Sequence, residues 1–148
     1  ILTDKVNEEL IKNQKAIISI IESYIKEHQL IVYGGNAQNL AIKKIDPKGV
    51  FYDDKDVHDY DVYSFDPKND AINLTKQIFK EGFKNILAIE AIHVETYSIK
   101  YYGTPLCDFS YMPKYIFDNL PILSVDGFKI VNPYLGSEIP ELFKYNTC

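Results

Sequence analysis

The sequence predicts an α+β fold, a mixed β-sheet flanked by helices. Three observations carry that expectation. A long stretch with helical spacing opens the chain over residues 4–28. Glu95 to Tyr102 alternates like a strand, turns through Gly103-Thr104-Pro105 and runs back as Leu106 to Tyr111. Asp126-Gly127, the favoured two-residue hairpin turn, separates a second pair of alternating runs within Ile122 to Val131.

Taken in order, Thr3 can cap the first helix, with Asp4 in its first turn. Leu10, Ile17, Ile21 and Tyr24 form its stripe, joined by Ile11, Ile18 and Ile25. So wide a stripe suits packing across a sheet or a subunit interface, and the first is preferred. Leu30 to Tyr33 is a short apolar strand of the buried type, ended by Gly34-Gly35. Asn36 to Lys44 continues as a helix with Ala37, Leu40 and Ala41 facing inward. Residues 45–58 read as a polar loop, with Asp53, Asp54 and Asp56 a solvated charge run and His58 exposed or behind any ligand shell. His58 to Phe65 is a strand, and Asp66-Pro67 breaks it. A helix over residues 69–81 should turn Ile72, Thr75, Ile78 and Phe79 to the core and stop at Gly82. Asn85 to Glu90 suits a strand, although Leu87 to Ile92 would also suit a short helix. On Glu95 to Tyr102, Thr96, Ser98 and Lys100 share one face and Tyr97, Ile99 and Tyr101 the other. Pro113 to Leu120 is a short helix with proline in its first turn, and Asn132-Pro133 ends the final hairpin.

At 148 residues the chain can bury a real core as one domain. Its hydrophobic share of 46% and charged share of 25% are ordinary for a globular protein. No apolar run approaches the roughly 18 residues of a membrane helix, so no membrane partner is expected. Cys107 and Cys148 fit a reducing compartment with no disulfide framework, although the two could pair, and no Cys/His cluster has zinc spacing. With a net charge of −5 and no Lys/Arg stripe, this segment alone should hold nucleic acid weakly. It starts at Ile and stops just after a helix start at Ser137, Glu138, Pro140 and Glu141, so residues 1–148 are read as one domain cut from a longer protein.

Asp59 and Asp61 open the His58–Phe65 strand at i, i+2 spacing, so they share a face while Tyr60 points away. Two adjacent carboxylates repel, and a cation or abundant water keeps both ionised. Oxygen-only ligation suits a hard ion such as Mg²⁺. The simpler reading of an isolated D-x-D is a solvated strand end. Asp108, between Cys107 and Phe109, is a third candidate, because a carboxylate within an apolar strand is costly to bury without a partner. If its hairpin lies beside the Asp59 strand, the three carboxylates converge. Gly34-Gly35 lets a backbone approach a phosphate, which the N-terminus of the following helix would attract.

A strand, Gly34-Gly35, a helix, the Asp59-Tyr60-Asp61 strand and the later Asp108 strand, in that order, resemble the nucleotidyltransferase superfamily typified by DNA polymerase β. The Gly127 to Pro133 segment is similar to the same pattern, and the likeness covers most of the chain. In particular it resembles the poly(A) polymerase catalytic subunits of large nucleocytoplasmic DNA viruses. The resemblance implies a polymerase β-like palm fold and template-independent addition of AMP from ATP to RNA 3′ ends. It implies two Mg²⁺ (or Mn²⁺) ions on Asp59, Asp61 and Asp108, with Asp108 nearest the attacking hydroxyl. Gly34 and Gly35 would hold the β- and γ-phosphates. The superfamily often has serine at the second glycine, so at Gly35 the contact would fall to backbone N–H groups or to Asn36 and Asn39. Lys43, Lys44, Lys100 and Lys129 are each able to reach a phosphate, with no choice among them. The implied partners are a nucleoside triphosphate and an RNA 3′ end, held mostly by regions outside this segment, with a homodimer possible. The implied place is cytoplasmic, in a viral factory or virion. Two other readings stand beside this one: a catalytically silent copy serving as a scaffold or dimerisation module, and a non-enzymatic Ca²⁺ or Mg²⁺ binding domain.

Overall fold

The computed structural model describes residues 2–45 and 59–132. A long helix α1 (Leu2–Glu27) leads into β1 (Ile31–Tyr33), α2 (Gly34–Ile45), β2 (Tyr60–Ser64) and α3 (Pro67–Lys80). Then come β3 (Ile86–Glu90), β4 (Thr96–Tyr101), β5 (Thr104–Tyr111), α4 (Lys114–Asn119), β6 (Ile122–Val125) and β7 (Phe128–Val131). The strands make one seven-stranded sheet in the order β3-β4-β5-β2-β1-β7-β6. It is mixed as expected: β2 runs parallel to β5 and β1 to β7, while the other neighbours are antiparallel. No helix among the described residues is long and apolar enough to cross a membrane.

The main core lies between one face of the sheet and the helices α1, α2 and α3. Ile17, Ile21, Tyr24 and Ile25 of α1 meet Val32, Val62, Phe109 and Ile130 of the central strands. Burial of each such side chain contributes about 1.5–3 kcal/mol. The apolar stripe of α1 is therefore used across the sheet in its second half, whereas Val6 and Ile11 stay exposed. Ala37 and Ala41 of α2 join this core, with Leu40 packed against it, as their spacing predicts. A smaller cluster on the other face gathers Ile31, Tyr63, Met112 and Leu120 under α4. The rest of that second face carries the polar residues of β2, β4 and β5.

Asp70 locks the layers together. It accepts hydrogen bonds from the Tyr24 hydroxyl of α1 at 2.6 Å and from Ser64 Oγ of β2. Tyr60, pointing into the same core, stacks on Phe128 with ring centroids 5.7 Å apart and donates to Glu22 Oε2 at 2.7 Å.

Several local expectations are corrected. Helix α1 begins at Leu2, so Thr3 lies inside it rather than at its cap. Pro67 occupies the first turn of α3, starting it two residues early, and the buried face is Ala71, Leu74 and, as expected, Ile78. Ile72 and Phe79 are exposed instead. Segment 86–90, where the sequence suits both, is a strand, pairing antiparallel with β4. The first hairpin turns at Tyr102-Gly103, both with positive φ, and Pro105 sits in β5 opposite an irregularity at Ile99/Lys100. A bulge is where a strand tolerates a residue without an N–H. The final hairpin turns at Asp126-Gly127 as expected, again with positive φ at both residues. The 46–58 loop with Asp53, Asp54, Asp56 and His58, and the helix start at Ser137, lie outside the described residues.

Candidate active site

The site is assembled by three registers. Antiparallel pairing of β1 and β2 sets Tyr33 opposite Asp61, which brings Gly34, the next residue, against the Asp61 side chain. Gly34 has φ +74°, and a Cβ built there would lie 2.8 Å from Asp61 Oδ2. Glycine is thus required twice, by the left-handed turn and by the carboxylate beside it. Parallel pairing of β2 and β5 sets Asp61 directly beside Asp108. In-register neighbours share a face, on strands about 4.8 Å apart. Antiparallel pairing of β4 and β5 sets Ser98 beside Asp108 on its other side.

The electrostatics follow from that crowding. Burial, then the charges of Asp59 and Asp108, push the Asp61 carboxyl up to about 6. Asp108 Oδ1 is buried with no hydrogen-bond partner among the described residues, a condition that calls for an explanation. Asp59 is exposed and stands one residue before β2; its backbone carbonyl accepts a hydrogen bond from Asn36 Nδ2. Backbone placement thus brings Asp61 and Asp108 together, with Asp59 near enough to act on Asp61. Among the described residues, however, no three His, Cys, Asp or Glu side chains are gathered into a ready metal-binding group. Gly35, Asn36 and Asn39 follow Gly34 in α2, all half-buried.

The donor chemistry still fits a hard divalent ion. All three side chains offer only oxygen, one buried carboxylate oxygen has no partner among the described residues, and the glycine leaves space against another.

The polar floor beside these carboxylates was only partly foreshadowed. Alternation placed Thr96 and Ser98 on one face, and both prove buried. Tyr33, read from the sequence as a core residue, bonds Ser110 Oγ through its hydroxyl at 2.7 Å, and Thr96 Oγ1 lies 3.3 Å from the same atom. Burial, opposed by the Ser110 hydrogen bond and reinforced by Asp61 and Asp108, pushes the Tyr33 phenol up to about 12. Its ring stacks on Tyr63 with centroids 4.0 Å apart. No local motif marks Tyr33 or Ser110; only strand register brings them beside the acids. Cys107 turns to the opposite face, where burial pushes its thiol well up.

The lysines sort themselves. Lys43 pairs with Asp126 at 3.1 Å and Lys44 donates to the Ser124 carbonyl at 3.1 Å. Both sit at the far end of α2, beyond two turns from Gly34. Lys129 donates to Gln29 Oε1 at 2.9 Å beside the first residue of β1, not the glycine end. The side chain of Lys100, on β4, makes no hydrogen bond or ion pair among the described residues.

The family model for the poly(A) polymerase catalytic subunit matches residues 19–139. A protein of Acanthamoeba polyphaga mimivirus, named for a poly(A) polymerase catalytic subunit, is 34% identical over 134 residues, covering 90% of this chain and 23% of that relative. A relative with the same name from African swine fever virus is 32% identical over 120 residues, covering 80% of this chain and 25% of its own. The crystal structure of the Megavirus polyadenylate synthase superposes with a TM-score of 0.80 at 30% identity, covering 84% of this chain and 25% of that one. The chain thus spans about a quarter of the length of the relatives it matches. Its mixed sheet with flanking helices is that of the viral poly(A) polymerase, the nucleotidyltransferase fold. The chain belongs to the poly(A) polymerase catalytic subunit family.

Proposed function

We propose that residues 1–148 are the nucleotidyl-transferring domain of a polyadenylate polymerase, which adds AMP from ATP to RNA 3′ ends without a template. The observation that carries this is the register pairing of Asp61 with Asp108 beside Gly34, in a member of this family. In the reaction the RNA 3′-oxygen bonds to the α-phosphorus, the bond from that phosphorus to the bridging oxygen breaks, and pyrophosphate leaves. The protein's own work is alignment and charge placement. Gly34 and Gly35 bring backbone N–H groups to the β- and γ-phosphates, with Asn39 alongside. Asp108, whose Oδ1 has no hydrogen-bond partner among the described residues, takes the proton of the 3′-hydroxyl. Asp59, Asp61 and Asp108 would hold Mg²⁺ or Mn²⁺, two ions in all, which when bound neutralise phosphate charge and acidify the attacking hydroxyl. RNA is held mainly by parts of the protein beyond this acidic segment, and the setting is a cytoplasmic viral factory or virion. A homodimer is decided by sedimentation of the full-length protein.

The test is incorporation by the full-length protein on an RNA primer, with each of the four nucleotides and either metal. AMP incorporation should fall at least about a hundredfold in Asp59→Asn and Asp61→Asn, with unfolding still cooperative. Unchanged incorporation in both variants would refute the metal assignment. The net charge of −5, and Gly35 where the superfamily often has serine, favour a silent scaffold as the second reading. A scaffold would incorporate nothing in any form.

A further inference from the structure

We infer that Asn36 is a positioning residue for Asp59, holding that aspartate where it can share a divalent cation with Asp61; this rests on the polymerase reading above. The two acids of the D-x-D pair are held very differently. Asp61 is inside the sheet, paired on one side with Tyr33 and on the other with Asp108. Asp59 precedes the first residue of β2, outside both ladders, and its side chain is exposed. Its carbonyl belongs to the peptide unit that joins it to Tyr60, so fixing that unit restricts the rotation that aims the Asp59 side chain. Asn36 Nδ2 supplies the fixing hydrogen bond, across 23 residues of sequence. Asn36 lies on the first turn of α2, directly after Gly34-Gly35, and that turn is itself set against Asp61. The glycine turn and the acidic strand are thereby tied into one unit. One of the two Asn36 amide hydrogens is engaged on that backbone carbonyl, so a role in phosphate binding is a separate matter that the KM for ATP reads. Partners that orient metal ligands typically matter about 10–100-fold in metal affinity.

The experiment measures Mn²⁺ affinity of the full-length protein by calorimetry without nucleotide, alongside KM for ATP at saturating Mn²⁺. Asn36→Ala and Asn36→Leu, which lack the donor, should weaken Mn²⁺ binding about tenfold. Asn36→Gln, which keeps a donor on a longer arm, should recover part of it. In all three, KM for ATP at saturating Mn²⁺ should stay within about twofold, because the nucleotide contacts remain. Unchanged Mn²⁺ affinity with a raised KM would overturn the inference and make Asn36 a phosphate ligand. Should the unaltered protein bind Mn²⁺ yet incorporate no AMP, the polymerase reading fails by itself, and the Asn36 effect on Mn²⁺ is judged on the calorimetry alone.

Discussion

Gly34→Ala probes the closest approach in the site. Two costs are expected, and the structure separates them. The first is backbone: an L-residue at φ +74° costs about 1–2 kcal/mol. The second is local: the new Cβ would meet Asp61 Oδ2 at 2.8 Å, so the carboxylate must rotate. Driving that side chain off its rotamer costs about 0.5–1.5 kcal/mol more. The sum is about 1.5–3.5 kcal/mol. In an Asp61→Ala background the oxygen is gone and the nearest remaining atom of residue 61, its Cβ, lies 3.6 Å away, an ordinary contact. There Gly34→Ala should cost the backbone part alone. Gly82→Ala is the control, since Gly82 also has positive φ, +97°, but nothing within 4 Å of an added Cβ. Denaturant unfolding of the four proteins of the cycle gives a coupling of about 1 kcal/mol if the account holds. Equal costs for Gly34→Ala in both backgrounds would refute the claim that this glycine is required by Asp61.

Asp61 makes a pH prediction of definite sign. Its folded carboxyl is raised from 3.8 to about 6, so the folded state binds the proton more tightly than the unfolded chain does. The group's contribution is therefore fully present below about pH 4 and is lost as pH rises through about 6. Without metal, Asp61→Asn should flatten stability against pH in that window and raise the unfolding temperature at pH 7.5; a lower unfolding temperature at pH 7.5 would contradict it. Asp70→Ala removes the shared acceptor of Tyr24 and Ser64 and should cost about 2–3 kcal/mol in urea unfolding. Ile21→Ala empties a position with 0% exposure under the sheet and should cost about 2–5 kcal/mol by the same measurement.

Much of the scaffold was legible because short-range chemistry decides it. Asp126-Gly127 names its hairpin, since both residues tolerate positive φ. The α1 stripe at Ile17, Ile21 and Tyr24 names a buried helix face. What escaped depends on contacts between distant segments. The α3 face was misphased because Ile72 and Phe79 looked like core positions, whereas Ala71 and Leu74, with Ile78, are the ones the sheet covers. Ile86–Glu90 could be assigned only once β4 was there to pair with it. The three acids were visible as a pattern, and the register of β2 with β5 turned Asp61 and Asp108 from pattern into neighbours. Asn36 was legible as a polar residue near a phosphate-sized turn, but its bond to the Asp59 carbonyl was not, because nothing local predicts it.

The most direct measurement is a crystal structure of the full-length protein with Mn²⁺ and a nonhydrolysable ATP analogue, with the metal located by its anomalous scattering. The account predicts manganese within bonding distance of carboxylate oxygens from both Asp61 and Asp108, with the triphosphate against Gly34 and Gly35. Manganese bound elsewhere, or Asp108 turned away from the metal and the nucleotide, would contradict it.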